Sequence, residues 1–136
     1  MSIQSKADYR EYLKADREVN HINTIFDEFN YTWIFIKALR RYEYYSNTKR
    51  SRIWKLLPYL KLRRWGLKTG ITIRKNCFGK GLYIPHYGSI VVNYSARFGD
   101  YCVVQNGVNI SSGVKGGDHV YLGAGAKILR NVEIAD

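Results

Sequence analysis

Three histidines, His21, His86 and His119, are the side chains here whose ordinary pKa lies close to neutrality. An imidazole placed against a hydroxyl can remove its proton during acyl transfer, a contribution of ~10²–10⁴ in rate. His119 directly precedes apolar Val120, where repeat sequences carry a turn residue, so it is expected on the surface. His21 lies between two helical stretches and has no partner pattern. His86 stands in Gly79-Lys-Gly-Leu-Tyr-Ile-Pro-His-Tyr-Gly-Ser-Ile-Val-Val-Asn93, a segment of strand character. The two cysteines, Cys77 and Cys102, form neither a disulfide framework nor a metal-ligand set, which predicts a reduced, cytoplasmic, metal-free protein.

The element that must position His86 is a repeat. From Phe98 onward an apolar residue or Gly recurs every six positions, at Phe98, Val104, Ile110, Gly116, Leu122, Ile128 and Ile134. A second series follows each of these by four positions, at Cys102, Val108, Val114, Val120, Ala126 and Val132. Both series can face one interior only if the chain turns a corner every six residues, so three flats close a triangular coil of about eighteen residues. Small residues follow the first series at Gly99, Ser111, Gly117, Gly123 and Ala135, while Gln105 and Leu129 break that sub-pattern. The register extends back through Ile90, Ile84 and Phe78, with a two-residue slip placed between Ile90 and Phe98. The predicted fold is a left-handed parallel β-helix over residues 69–136, preceded by an α-helical region over residues 1–68.

In that helical region Tyr9, Tyr12, Leu13 and Asp16 share one face. A second helix is expected from Ile22 or Thr24 to Tyr45, with a stripe of Ile25, Phe29, Ile36, Leu39 and Tyr42, ended by Ser46-Asn47-Thr48. A third is expected from Ser51 to Trp65, kinked at Pro58, with Gly66 and Gly70 as breaks before strands begin at Ile71. Of the net charge of +11, +10 falls between Lys37 and Lys68, where eleven Lys or Arg face one acid, Glu43. That block reads in three ways: as a solvated face, as a helix on an anionic membrane surface through residues 51–68, or as a nucleic-acid surface. The last is disfavoured because no helix-turn-helix, zinc or RNA-binding motif accompanies it. No apolar run approaches a membrane span, and the N-terminus lacks the apolar core of a signal peptide.

The His86 segment, with Val104-Gln-Asn-Gly-Val-Asn-Ile110 and Val120-Tyr-Leu-Gly-Ala-Gly-Ala-Lys-Ile128, resembles the serine acetyltransferases of the hexapeptide-repeat acyltransferase superfamily. The short-form relatives found in capsule and exopolysaccharide gene sets resemble it better than the family's classical members do. The resemblance implies transfer of acetyl from acetyl-CoA to the hydroxyl of L-serine, with His86 as general base and no covalent nucleophile. It assigns the acetyl-CoA contact to Gly123, Ala124, Gly125, Ala126 and Lys127, with Lys127 toward the phosphates or simply solvated. Asp16 is similar to the helical acid that contacts substrate in the family. The family's carboxylate fifteen residues before the base is Ile71 here, and the acid that often precedes the base is Pro85. Its long loop with an Arg-His pair is replaced by Ser111-Ser-Gly-Val-Lys-Gly-Gly-Asp118, in which Lys115 would supply the positive charge.

A homotrimer is expected from the family's packing of flat β-helix faces, with a small-molecule acceptor between subunits. The repeat opens at Asn131 and stops at Asp136, so the β-helix is expected to be truncated there or capped by a partner. Two other functions stay open at this point: a sugar O-acetyltransferase of polysaccharide synthesis at the cytoplasmic membrane surface, and a non-catalytic trimeric scaffold.

Overall fold

Residues 2–49 and 51–136 are described by a computed structural model; Arg50, counted in the basic block, lies outside them. Helix α1 (Lys6–Val19) starts where the Ser5 hydroxyl accepts the Asp8 N–H at 3.0 Å. The Asp8 carboxylate accepts the Gln4 N–H at 2.9 Å, so two end donors of the first turn are satisfied. Of the expected face, Tyr12 and Asp16 are buried, and Tyr9 and Leu13 half-buried.

Helix α2 (Tyr31–Thr48) starts well after the expected Ile22 or Thr24. The Asp27 carboxylate accepts the N–H groups of Asn23 and Thr24 and the Thr24 hydroxyl, folding this stretch into a turn that closes in a short 3₁₀ helix, Asp27–Phe29. Asn30 then caps α2 through the Thr32 N–H at 2.9 Å. Ile25, Phe26 and Phe29 consequently stay exposed, and of the predicted stripe Ile36 and Leu39 are buried and Tyr42 half-buried. The Ser46–Thr48 group does not break the helix; Thr48 bonds its hydroxyl back to the Tyr44 carbonyl at 2.6 Å.

Helix α3 (Arg52–Thr69) is capped by Ser51, carries Pro58 inside and ends at Gly70, whose φ of 71° lets its N–H reach the Gly66 carbonyl. Gly66 is therefore a helix residue rather than a break. It is small for another reason: a Cβ there would lie 2.8 Å from the Ile71 carbonyl oxygen.

Eight short strands follow: β1 (Ile71–Thr72), β2 (Ile90–Val92), β3 (Val103–Val104), β4 (Asn109–Ile110), β5 (Lys115–Gly116), β6 (Tyr121–Leu122), β7 (Lys127–Ile128) and β8 (Glu133–Ile134). They form three parallel sheets, ordered β1-β2-β4-β7, β3-β6 and β5-β8. Val91 pairs with Asn109, Val103 with Tyr121, Asn109 with Lys127 and Lys115 with Glu133, each eighteen residues on. The chain therefore winds a three-sided coil, as the period of six demands. The inward series is buried from Phe98 to Leu122, Gly116 being half-buried, and opens toward Ile128, Val132 and Ile134. Phe78 and Phe98 stack at 4.9 Å, and a Cβ on Gly116 would lie 2.2 Å from the Phe98 ring, which is why an inward position holds glycine.

One corner is stitched by carboxylates, one from each successive coil. Asp100 accepts the Lys80 N–H, Asp118 that of Asp100, and Asp136 that of Asp118, at 2.7–3.0 Å.

The slip lies elsewhere than the sequence suggested. Tyr83 pairs with Val103 twenty residues on, whereas Ile90 falls in register with Val108, eighteen on. The chain thus takes six residues from Ile84 to Ile90 where the next coil takes four from Val104 to Val108. From Ile90 to Phe98 the period is intact, Ile90 being followed by Ala96 and Val92 by Phe98, all buried. The two extra residues fall in the segment that carries His86. Ile84 and Ile90 belong to different inward series, a distinction that apolar spacing cannot make.

A buried ion cluster joins the helices to the first coil. Arg40, fully buried, donates to Asp16 of α1 (2.7 Å), to Glu43 of α2 (2.9 Å) and to the carbonyls of Phe78 and Gly79. Asp16 also accepts the Leu82 N–H at 2.9 Å, and Glu43 the Asn76 N–H at 2.8 Å. Burial opposes the Arg40 charge, but the Asp16 and Glu43 carboxylates outweigh it and hold the guanidinium above its ordinary pKa. Burial pushes the Glu43 carboxyl up, against the pull of Arg40.

Candidate active site

His86 sits on the two-residue insertion, at the corner between the β3-β6 side and the β1-β2-β4-β7 side. The loop is held at both ends. Asn20, the C-cap of α1, donates to the Leu82 carbonyl at 2.8 Å and accepts the Ile84 N–H at 3.3 Å. Ile90 donates to the Gly70 carbonyl at 3.1 Å. Gly88 at φ 112° and Ser89 at φ 48° make the reversal between those anchors. Tyr87 rests on Tyr31, and Tyr31 on Trp65, with ring centroids 5.9 and 5.5 Å apart. His86 itself is exposed, and among the described residues no hydrogen bond holds its imidazole. Ile71, fifteen residues before His86, opens β1 and is buried in the core.

The same corner recurs in the next two coils. Gly107 donates to the Gly88 carbonyl at 3.2 Å, and Gly125 donates to the Asn106 carbonyl at 3.0 Å. The His86 loop, the Asn106-Gly107 turn and the Gly123–Ala126 turn therefore stack in one column, with about 4.8 Å of rise per coil. A Cβ on Gly107 would lie 3.3 Å from Gly125, so the middle turn is tight. On Gly88 or Gly125 it would meet nothing within 4 Å, so both outer turns border open space. Ala124 and Gly125 are exposed, Gly123 and Ala126 half-buried. A thin extended ligand can approach such a backbone closely. Lys127 follows directly in β7, exposed.

The other expected site residues lie apart. Lys115 is in β5 on the third side, between Arg97 and Glu133 in the ladder, with its ammonium 3.8 Å from the Glu133 carboxylate. Asp16 departs from a ligand-contacting role: it is 0% exposed, and both oxygens are used by Arg40 and the Leu82 N–H. Its place on the inner face of α1, between α2 and the first coil, makes it a structural anchor. His119 is exposed with φ 57° and stacks on Tyr101 at 5.5 Å, while His21 meets the edge of Tyr83 at 5.8 Å. Burial pushes both thiols, Cys77 and Cys102, up to about 11, which leaves little thiolate for nucleophilic chemistry. Among the described residues no group of three or more His, Cys, Asp or Glu could hold a metal ion.

Two contributors escaped sequence reasoning. The middle turn Asn106-Gly107 was signalled by an Asn-Gly dipeptide eighteen residues before Ala124-Gly125. The Asn20 clamp, more than sixty residues from its partners, had no signal.

No family model matches the chain. A serine acetyltransferase of Synechococcus elongatus is 32% identical over 90 residues, 60% of this chain and 37% of that protein. A second, from a Synechocystis species, is 35% identical over 75 residues, 48% of this chain and 30% of that protein. The chain is serine acetyltransferase-like. It spans about a third of the length of these curated relatives. The fold agrees over a greater length. Crystal structures of serine acetyltransferases from Brucella abortus strain S19 and Neisseria gonorrhoeae superpose with TM-scores of 0.69 and 0.71, at 20% and 22% identity. Each match covers 96% of this chain and 60% or 57% of the crystallised chain. The serine acetyltransferase-like chain thus has the arrangement of helices and parallel coil seen in those structures.

Proposed function

We propose that this chain is an acetyl-CoA-dependent O-acetyltransferase that acetylates the hydroxyl of L-serine, with His86 as general base. The observation that carries the reading is the shared corner, where an exposed imidazole and an open Gly-Ala-Gly-Ala-Lys turn stand two coils apart in one column. His86 takes the hydroxyl proton as the serine oxygen bonds to the thioester carbonyl. The C–S bond then breaks, and the proton passes to the departing CoA sulfur, giving O-acetylserine and free thiol. Gly123–Ala126 offer backbone to the extended arm of acetyl-CoA, and Lys127 its charge to the phosphates.

In this reading the three-sided coil, residues 69–136, is a left-handed β-helix appended to the helical region 1–68. Three chains pack about their flat sides as a homotrimer, which brings a neighbour's side, with Lys115, toward the His86 corner. The buried free thiols support a reducing, cytoplasmic setting.

The test is thiol release from acetyl-CoA with L-serine, set against sugar acceptors, for the wild-type chain and His86→Ala. Turnover with serine that falls ~10²–10⁴-fold in the variant, with its melting temperature unchanged, is expected. Unchanged turnover in the variant removes His86 from the mechanism. Turnover with sugars alone moves the acceptor, and no release with any acceptor favours the scaffold.

A further inference from the structure

Helix α3 has two apolar faces, and only one is used. Pro58, Leu62 and Thr69 are buried and Trp65 half-buried on the side that packs on the body. Ile53, Leu56, Leu57, Leu60 and Leu67, at i, i+3, i+4, i+7 and i+14, lie on the opposite side. They are 80, 55, 76, 48 and 78% exposed, a contiguous outward stripe rather than scattered surface residues. At 100° per residue, Lys61 and Lys68 fall along one border of this stripe, Arg52 and Arg63 along the other, and Arg64 projects from within it. With Lys55, α3 carries six cations and no acid, and no Asp or Glu occurs anywhere between Glu43 and Asp100.

We infer that α3 is an interfacial helix that lays its outer face on an anionic lipid bilayer. Five aliphatic side chains would enter the acyl boundary, while the bordering Lys and Arg stems run outward to lipid phosphates. Trp54, exposed just beyond the Lys61 and Lys68 border, sits where an indole favours the headgroup level. Eighteen residues give a helix about 27 Å long, lying flat. Among the described residues no helix is long and apolar enough to cross a membrane, so this is contact from one side. Charge decides between lipid and a second copy of the chain. Two such faces apposed would set cations against cations with no acid on the helix to answer them, whereas an anionic surface answers those within and beside the stripe. The inference stands independently of the acetyl-transfer reading.

The test is co-sedimentation of the full chain with vesicles of phosphatidylcholine alone or of phosphatidylcholine and phosphatidylglycerol at 7:3, in low and in 0.5 M salt. Binding at least tenfold tighter to the anionic vesicles, weakened by salt and accompanied by a blue shift that Trp54→Phe abolishes, is expected. Leu57→Ser with Leu60→Ser should lose tenfold or more without changing the melting temperature, since both side chains are exposed. Lys61→Gln with Arg64→Gln should lose on the order of 30-fold on anionic vesicles, at about 1 kcal/mol per cation. Equal or absent pelleting on both vesicle types overturns the inference, as does undiminished binding by both double variants. A change of oligomeric state in Leu57→Ser/Leu60→Ser, with no vesicle binding by the wild type, would assign the face to a second copy instead.

Discussion

Removing the Arg40 side chain should be among the most damaging single changes in this protein, and its cost can be worked from contacts. Arg40 and Asp16 are wholly buried and Glu43 nearly so, which means Arg40→Met leaves two carboxylates without their counter-ion and the Phe78 and Gly79 carbonyls without a donor. Loss of one partner from a buried ion pair costs about 3–5 kcal/mol. For a chain of this size that is roughly 10–25 °C in melting temperature. Against a total of about 5–15 kcal/mol for a typical domain, the variant is marginal. The sharper test is the triple variant Asp16→Leu/Arg40→Met/Glu43→Leu. A triad whose members bond only to one another is often replaced by apolar residues with no loss, or with a gain of about 1–4 kcal/mol. Here the triad also serves backbone: Asp16 takes the Leu82 N–H, Glu43 the Asn76 N–H, and Arg40 the two carbonyls. Each group left buried and unpaired costs about 1–3 kcal/mol, less for Asn76, which lies nearer solvent. The triple variant should therefore remain several kcal/mol below wild type in urea unfolding followed by circular dichroism. Recovery to within about 1 kcal/mol of wild type would refute the argument that the cluster exists to satisfy the first coil.

Two further outcomes can be checked by melting. Hydrogen bonds from Lys37 and Trp33, opposed by desolvation and helped by Arg17, hold the Glu28 carboxyl down to about 2. Its folded pKa lies below its unfolded one, so its stabilisation is complete above about 4.5 and disappears as pH falls toward 2; a Glu28→Gln variant should show a flatter decline over that window. Gly116→Ala should cost about 1–3 kcal/mol, because the new methyl meets the Phe98 ring, and Phe98→Leu added to it should recover part of that loss.

What was legible in the sequence follows from periodicity. A period of six that places Val104 beside Leu122, and Ile110 beside Ile128, is a direct consequence of coil geometry, so the three parallel sheets could be read from Phe98 onward. The helices were legible in kind but not in extent. Asn23 to Asn30 carries enough apolar residues to look helical, yet the Asp27 and Asn30 side chains captured backbone donors and ended that possibility. Asp16 illustrates the harder failure. Its position on an apolar helix face was visible, but nothing local shows that Arg40, twenty-four residues on, would meet it in the interior. A polar residue among apolar neighbours is as often an anchor as a ligand.

The corrected slip shows why the candidate site is where it is. In a regular coil every corner residue is fixed by the turn above and the turn below, and Gly107 shows the result, at φ 76° with a Cβ there only 3.3 Å from Gly125. At this corner a side chain on the middle turn would crowd the turn stacked on it. Two extra residues between Ile84 and Ile90 release that constraint at one corner of one coil. His86 is lifted out while Asn20, Gly70 and the stacked Asn106-Gly107 turn hold the loop's ends and base. Under the proposed function, the regular turns beneath would supply a flat, small-residue track for an extended ligand, and the irregular one the general base. The residues that break the repeat are thus the ones that carry the imidazole, while those that keep it build the surface stacked beside it.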